Sequence, residues 1–441
     1  MALAPNHNLP TVLWCDMNSS FASSEQQAHP LMRHKPLGVG KYLTPNGPII
    51  SPSVEAKRAG VKGITTVRDA KLIAPDMLLL QSDPPKYREM HRRLVLIFKK
   101  WAPVVNPRSI DEAVMEFTGS PALKKWNLHQ IAQMIKEEAA VECGSYIGQR
   151  LSMGIATNQF LAKTAAGLEK PNGLQEINAD NLRSVYAGLE LIDLCGINTR
   201  HQARLNGCGI FTPLQFLDAE ADFLHRQVFG SITGRYWHWM LRGYEYQRYD
   251  SFDRGSFGNS HSMKIQKKEP EHNLSYLLRL CDMAGRRMRK EGYSCLRVSV
   301  TCIYPDRTHF FAGASSKLPL YTTKEVFRVA ARCFNRQPEF KAIHKIAVNL
   351  THIQLGAHEQ LDLFATEHGK ERRLMEAVDR INTRYGEQKV YPATMHTSAG
   401  KVNDSISFGS VGDMQELYEG EEAFQTDNHF GTESFFSINE D

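Results

Sequence analysis

TVLWCDMNSSFASSEQ, residues 11–26, and VVNPRSIDEAVMEFTG, residues 104–119, decide how this chain reads. The first begins as a short apolar strand, meets an acid at Asp16 and turns polar. Its continuation from Ser19 predicts a helix with a serine cap and Glu25 further in. The second predicts a hairpin that turns near Asn106–Pro107. Its returning limb alternates, with Ala113, Met115 and Phe117 on one face and Val114 and Glu116 on the other. Asp111 and Glu112 stand where that limb starts. Carboxylates at neighbouring strand ends can converge on divalent cations, and Mg2+ takes hard oxygen ligands together with substrate phosphates. Two such ions clamp the attacking and leaving oxygens of an in-line displacement. Taken alone, each acid is a solvated turn residue more often than a ligand.

Working outward, Pro-Asn-Gly at 45–47 predicts a tight hairpin, and short helices follow from Val54 and Val67, stopped at Gly60 and Pro75. KYREMHRRLVLIFKKW from Lys86 and NLHQIAQMIKEEAAVECG from Asn127 carry apolar helical stripes. RLSMGIAT predicts a strand, and NQFLAKTAAGLEKPNG a helix closed by Pro171 and Gly173. Strands and helices alternate without a regular βαβ repeat, so the expectation is an α+β sheet with helices on one face. Residues 175–246 read as all-helical around LCGINTRHQARLNGCGI, and SFDRGSFGNSHS as a linker. The stretch 258–352 reads as a small α+β module. Its order is a strand, the basic helix SYLLRLCDMAGRRMRK, the strand CLRVSVTCIY, a long turn, the helix TKEVFRVAARCF and the strand KIAVNLTHI. A further helix is expected at 370–385, before a weakly structured polar end.

The length, 441 residues, predicts several domains, and 42% apolar with 23% charged residues suits a folded soluble chain. A formal charge of +5 mildly favours an anionic partner. The eight cysteines form no CxxC pair and sit at no zinc-finger spacing, which fits a reducing compartment. No apolar run is long enough to span a bilayer. A cytoplasmic protein without a membrane partner is expected.

Four segments occur in order: WCDMNSSFASSEQ (14–26), SVEAKRAGVKGI (53–64), SIDEA (109–113) and MGIATNQFLAKTAAGLEKPNG (153–173). In this order and spacing they resemble the Y family of DNA polymerases, the translesion group, over about 11–360. The resemblance implies an α+β multidomain, right-handed polymerase. Its palm would lie at 1–26 and 81–174, small fingers at 27–80, and a helical thumb with a helix-hairpin-helix at 175–246. A linker would follow at 247–257, an α+β little finger at 258–352, and a tail with a clamp-binding motif at 353–441. Asp16, Asp111 and Glu112 match the family's catalytic and metal-binding acids, and Met17 the position lending a backbone carbonyl. Two Mg2+ ions, with Mn2+ as a substitute, are the implied cofactors. Phe21 falls on the steric gate that excludes a ribose 2′-hydroxyl, and Lys163 faces the triphosphate.

Two positions depart from the family pattern. Lys57 stands where arginine is usual and Val54 where tyrosine is usual, so a point charge replaces a fixed fork. Thr44, Ser51 or Ser53 are candidate substitute donors. Gly196, Ile197 and Asn198 resemble a hairpin offering backbone N–H groups to DNA phosphates. Arg286, Arg287, Arg289 and Lys290 are candidate phosphate contacts of the little finger. Gln360, Leu361, Leu363 and Phe364, in QLDLF, match a bacterial sliding-clamp motif. Primer-template DNA, dNTPs and the clamp are the implied partners, and residues 365–441 could recruit an accessory protein. That long tail tilts the resemblance toward the polymerase V-like branch over the polymerase IV-like one. The competing readings are a catalytically inactive polymerase-fold scaffold and a general DNA-binding protein. The intact acids and the ordered segments speak against them.

Overall fold

The computed structural model describes residues 3–245, 255–263, 265–356, 366–386, 389–396 and 398. The chain divides into two units, one holding residues 1–250 and the other 251–404. The first opens with β1 (Val12–Met17), α1 (Ser20–Ala28), β2 (Leu37–Gly40), β3 (Ile49–Pro52), α2 (Val54–Arg58), α3 (Val67–Ile73) and β4 (Leu78–Gln81). It continues through α4 (Pro84–Trp101), β5 (Val104–Pro107), β6 (Glu112–Glu116), α5 (Leu128–Glu142), α6 (Ser145–Gly148), β7 (Leu151–Ala156), α7 (Gln159–Leu168) and β8 (Leu174–Ile177). It closes with α8 (Leu182–Ala187), α9 (Thr199–Gly207), α10 (Pro213–Asp218), α11 (Ala221–Phe223) and α12 (Thr233–Met240).

β1 is the centre of a five-stranded sheet ordered β5-β6-β1-β7-β8. It pairs antiparallel with β6 and β7, and β8 runs parallel to β7. Leu13, Cys15, Met17, Ala113 and Met115 pack with Leu94 and Phe98 of α4 and Ile131 and Ile135 of α5. Val12, Trp14 and Val114, pointing the other way, join Leu161 and Ala165 of α7 and the helices beyond Leu182. Helices therefore cover both faces, not the one face expected. Both alternating sets of β1 are apolar, which is how a doubly covered strand reads. At Gly154 a Cβ would lie 2.0 Å from the Ala162 carbonyl, so only glycine lets α7 lie this close to β7.

Local signals act largely as expected. Asn127 and Gln130 form a reciprocal capping box on α5, and Asn158 caps α7. Ser19 occupies the cap position of α1, but its φ is +52° and its side chain caps nothing. The first hairpin turns at 108–111, since Asn106 and Pro107 still belong to β5 and Arg108 and Ser109 both donate their backbone N–H to the Glu112 carbonyl. Leu174–Ile177 adds a strand to the sheet where an all-helical segment was expected to begin. A smaller sheet, β3-β2-β4, carries α2 and α3.

The second unit comprises β9 (Ser256–Ser262), α13 (Pro270–Lys290), β10 (Tyr293–Ile303), β11 (His309–Leu320), α14 (Thr323–Phe334), β12 (Lys345–Leu355) and α15 (Thr366–Tyr385). Its sheet is ordered β11-β10-β12-β9, with α13 and α14 packed on one face. Two expectations change. Half of the supposed linker, from Ser256, is strand β9, and the supposed long turn contains the twelve-residue β11. Both are edge strands with several small polar residues, three serines and a glycine in β9 and two serines and a glycine in β11, and an edge needs little apolar residue on its uncovered side. The tail helix packs on this unit: Asp379 binds Arg289, Glu371 binds Lys324, and Arg372 lies 4.0 Å from the Tyr321 ring centre.

Candidate active site

Strand pairing brings the sequence-separated acids together. Asp16 of β1 is the register partner of Glu112 of β6, and Met17 donates its N–H to the Asp111 carbonyl at 2.9 Å. The first unit therefore places Asp16, Met17, Asp111 and Glu112 at one sheet end. Asp111 accepts from Ser109 Oγ at 2.6 Å and from Ser20 Oγ at 3.4 Å. Burial pushes its pKa up, the Ser109 hydrogen bond pulls it back, and the Asp16 charge pushes it up again. Glu112 is likewise raised by burial, against the opposing hydrogen bond and charge of Lys163.

Cations surround this acid cluster. Lys163 Nζ lies 2.8 Å from Glu112 Oε2 and 4.7 Å from the Trp14 ring centre. Burial lowers the Lys163 pKa, but Glu112 outweighs it and the ammonium is held charged. Lys170 Nζ lies 2.7 Å from Asp16 Oδ2. Lys57, on the short α2, is pulled down by burial and by Lys170, and held up by Asp16 and Asp111. It therefore shares their electrostatic neighbourhood. Glu55 of the same helix binds Arg150, Gln26 and Tyr146, which anchors α2 against α1 and α6. Ser53 caps α2 and donates to the Lys35 carbonyl, and Ser51 Oγ accepts from Ala22 N, so both serines are engaged by backbone. Thr44 is exposed in a turn. Val54 is buried.

Phe21 is 1% exposed and stacks on Tyr87 at 4.2 Å and 8°. The Tyr87 hydroxyl donates to Glu25 Oε1 at 2.7 Å, and Lys86 binds the other oxygen of that carboxylate. Phe21 follows Ser20 on α1, so the ring shares a helical turn with a donor to Asp111.

A ready-made cluster of three metal-ligating side chains is absent among the described residues. Two of the three carboxylates are engaged by lysines. The donor set is nonetheless of the right kind: hard oxygens, fixed by paired strand ends, in a buried and acid-rich setting. Reasoning from sequence assigned no role to Lys170, Asn18, Ser20 or Ser109. Lys170 lay inside the quoted EKPNG, but nothing in that string shows that its chain returns to Asp16.

Gly196-Ile197-Asn198 bends the chain between the short turn Leu191–Asp193 and α9, with Gly196 at φ +91°. Ile197 is buried in the helical core. Asn198 caps α9, its side chain accepting from Arg200 N and His201 N. The basic end of α13 requires correction. Arg289 is buried, paired to Asp379 at 2.6 and 3.1 Å, and donates to the Tyr321 carbonyl. It has no face to offer DNA. Arg287 donates to Gly258 O and Asn259 Oδ1, and Arg286 to Thr383 Oγ1. Lys290 is exposed. Gln360, Leu361, Leu363 and Phe364 lie outside the described residues. Among the described residues no helix is long and apolar enough to cross a membrane.

A doubly covered sheet whose paired strand ends gather three acids beside lysines is an arrangement suited to phosphoryl-group chemistry. Residues 15–167 match the impB/mucB/samB family and residues 254–363 its C-terminal domain. DNA polymerase IV of Pelotomaculum thermopropionicum is 32% identical over 411 residues, 89% of this chain and 97% of that protein. DNA polymerase IV of Moorella thermoacetica is 30% identical, over 88% of this chain and 97% of that protein. The chain belongs to the Y family of translesion DNA polymerases. The Y-family DNA polymerase chimera Dbh-Dpo4(243-245)-Dbh shares the fold with a TM-score of 0.68 at 24% identity, over 78% of this chain and 99% of that one. An insertion ternary complex of Dbh DNA polymerase matches at 0.56 and 22%, over 78% of this chain and 99% of that one. The fold is thus the right-handed polymerase of palm, fingers, thumb and little finger. Both relatives carry the polymerase IV name, against the tilt toward polymerase V that the tail suggested.

Proposed function

We propose that this protein is a DNA-directed DNA polymerase that carries out translesion synthesis by two-metal nucleotidyl transfer. The observation that carries this reading is the meeting of Asp16, Asp111 and Glu112 at paired strand ends, ringed by Lys57, Lys163 and Lys170. The five-stranded sheet with α4, α5 and α7 serves as the palm, residues 27–80 as the fingers, the helices of 175–246 as the thumb, and the second unit as the little finger.

Asp16, Asp111, Glu112 and the Met17 carbonyl would hold two Mg2+ ions, or Mn2+. Bound there, the ions supply Lewis acidity to the attacking primer hydroxyl and the leaving pyrophosphate. The chain's own part is positioning and charge. Ser109 and Ser20 orient the Asp111 carboxylate. Lys57, Lys163 and Lys170 supply positive charge for the triphosphate, and the last two must leave their carboxylate partners to do so. Phe21 sets the floor of the sugar pocket, where a rigid ring excludes a 2′-hydroxyl.

DNA is held without reading sequence, by backbone groups of the Gly196 bend and by the uncovered face of the second unit's sheet. Val298, Val300 and Cys302 point into the core, which leaves Arg297, Ser299 and Thr301 of β10 on the opposite face beside Asn349 and Thr351 of β12. That polar face, to which Arg297 brings a positive charge and in which Ser299 is buried, replaces Arg289 in the proposed interface. QLDLF remains the proposed clamp-binding element.

Primer extension on undamaged and abasic templates tests the reading. Extension by the parent, with loss of about 10³-fold or more in Asp111→Ala, supports it. Turnover retained by Asp111→Ala in Mg2+ would sink it. A parent that fails to extend at all, yet binds DNA, would favour the inactive scaffold.

A further inference from the structure

Asn18 lies two residues past Asp16, and every polar group of its side chain is engaged. Its Oδ1 accepts from Ser152 Oγ at 2.8 Å and from Asn172 N at 3.1 Å. Its Nδ2 donates to Asp16 Oδ1 at 3.3 Å. Its backbone N–H donates to the Arg150 carbonyl at 2.7 Å, and its carbonyl accepts from Ser23 Oγ at 2.6 Å. The residue is 4% exposed, so these partners are not exchanged with water.

The amide orientation follows from chemistry. One side chain atom faces a backbone N–H and a hydroxyl, the other a carboxylate. Only oxygen toward the first pair and nitrogen toward Asp16 satisfies all three. Asn18 thereby joins two parts that the reaction needs in register. One is the Asp16 carboxylate. The other is the loop at Asn172, two residues beyond Lys170, whose ammonium sits on the other oxygen of that carboxylate.

We propose that Asn18 is a positioning residue: it sets the orientation of the Asp16 carboxylate and, through Asn172, the placement of the triphosphate-binding Lys170. The proposal rests on the polymerase reading of this site. Its two arms separate experimentally. The acceptor side governs Lys170, and the donor side governs Asp16.

The test uses the full chain, folded as judged by circular dichroism, with steady-state dNTP incorporation and Mn2+ titration followed by electron paramagnetic resonance without DNA or dNTP. Asn18→Ala should raise the dNTP KM about tenfold and weaken Mn2+ binding by a similar factor, the usual cost of losing a partner of a ligating group. Asn18→Asp keeps the acceptor for Ser152 and Asn172 but sets a second carboxylate against Asp16. Only KM, the readout of the acceptor side, should therefore return to within about twofold of the parent, while Mn2+ affinity should not return. In a Lys170→Met background, Asn18→Ala should leave KM within about twofold, because the group it places is gone. An Asn18→Ala enzyme with parental KM and parental Mn2+ affinity overturns the proposal. So does an equal KM rise with and without Lys170, or a failure of Asn18→Asp to rescue KM, since a general loss of packing would act that way. Failure of the polymerase reading looks different: the parent itself would incorporate no dNTP.

Discussion

Removing the Asp379 carboxylate should loosen the second unit substantially, because Arg289 would remain buried without its bidentate partner. The Arg289 side chain is 2% exposed and that of Asp379 20%. The pair is bidentate, at 2.6 and 3.1 Å. In Asp379→Ala the guanidinium keeps the Tyr321 carbonyl at 3.1 Å, a long contact to Thr323 at 3.5 Å and the charge of Asp282 nearby. Breaking one side of a buried pair costs about 3–5 kcal/mol, and the partial exposure of Asp379 admits water, which places this case near about 3 kcal/mol. For a unit of this size that is a drop of about 6–12 °C in its melting transition. Differential scanning calorimetry of the full chain reads it directly. The double variant Arg289→Met with Asp379→Leu should recover most of the loss, since an apolar pair of similar volume carries no desolvation cost. A DNA-contacting Arg289 predicts something else. Arg289→Met would then reduce the salt dependence of DNA binding by about one phosphate contact, and Asp379→Ala would leave stability nearly unchanged. That pair of results would refute the reasoning.

Phe21→Ala should admit rNTPs at least about tenfold more readily, read as the ratio of kcat/KM for rNTP and dNTP; an unchanged ratio means the ring is only core. His91 and His238 are both held down to about 4, by burial first, with Arg242 adding to the effect at His238 and the Ile110 carbonyl opposing it at His91. Depressed histidines favour the neutral form in the fold, so their contribution is present above about pH 6.5 and is lost as pH falls toward about 4. Denaturant midpoints measured across that window should fall with pH, and less so in His238→Asn. Changing Leu363 and Phe364 together to Ala should abolish stimulation by the sliding clamp while basal extension stays within about twofold, as a primer-extension assay with and without clamp would show.

Much of the site was legible because it sits in continuous strings. Asp16 ends an apolar run, Asp111 and Glu112 open an alternating one, and strand ends are where a sheet can place acids side by side. Lys163 was legible for the same reason, inside a capped helix. The edge strands β9 and β11 were not, because periodicity reports a buried face and these strands bury little. The one-sided sheet was misjudged because alternation names two faces without saying what covers each.

By itself, the sequence picked out Asp16, Asp111 and Glu112 as the candidate acids, the order of helices and strands that carry them, and the family the chain joins. Those properties depend on residue type and local spacing. Tertiary structure decided which groups touch. It put Lys170 on Asp16, 154 positions away in the chain, and made Asn18 the link between them. It also turned Arg289 inward: a helix with Arg286, Arg287 and Arg289 reads as basic on every side. Which of those cations is buried depends on a carboxylate 90 positions later, and no local pattern contains that partner.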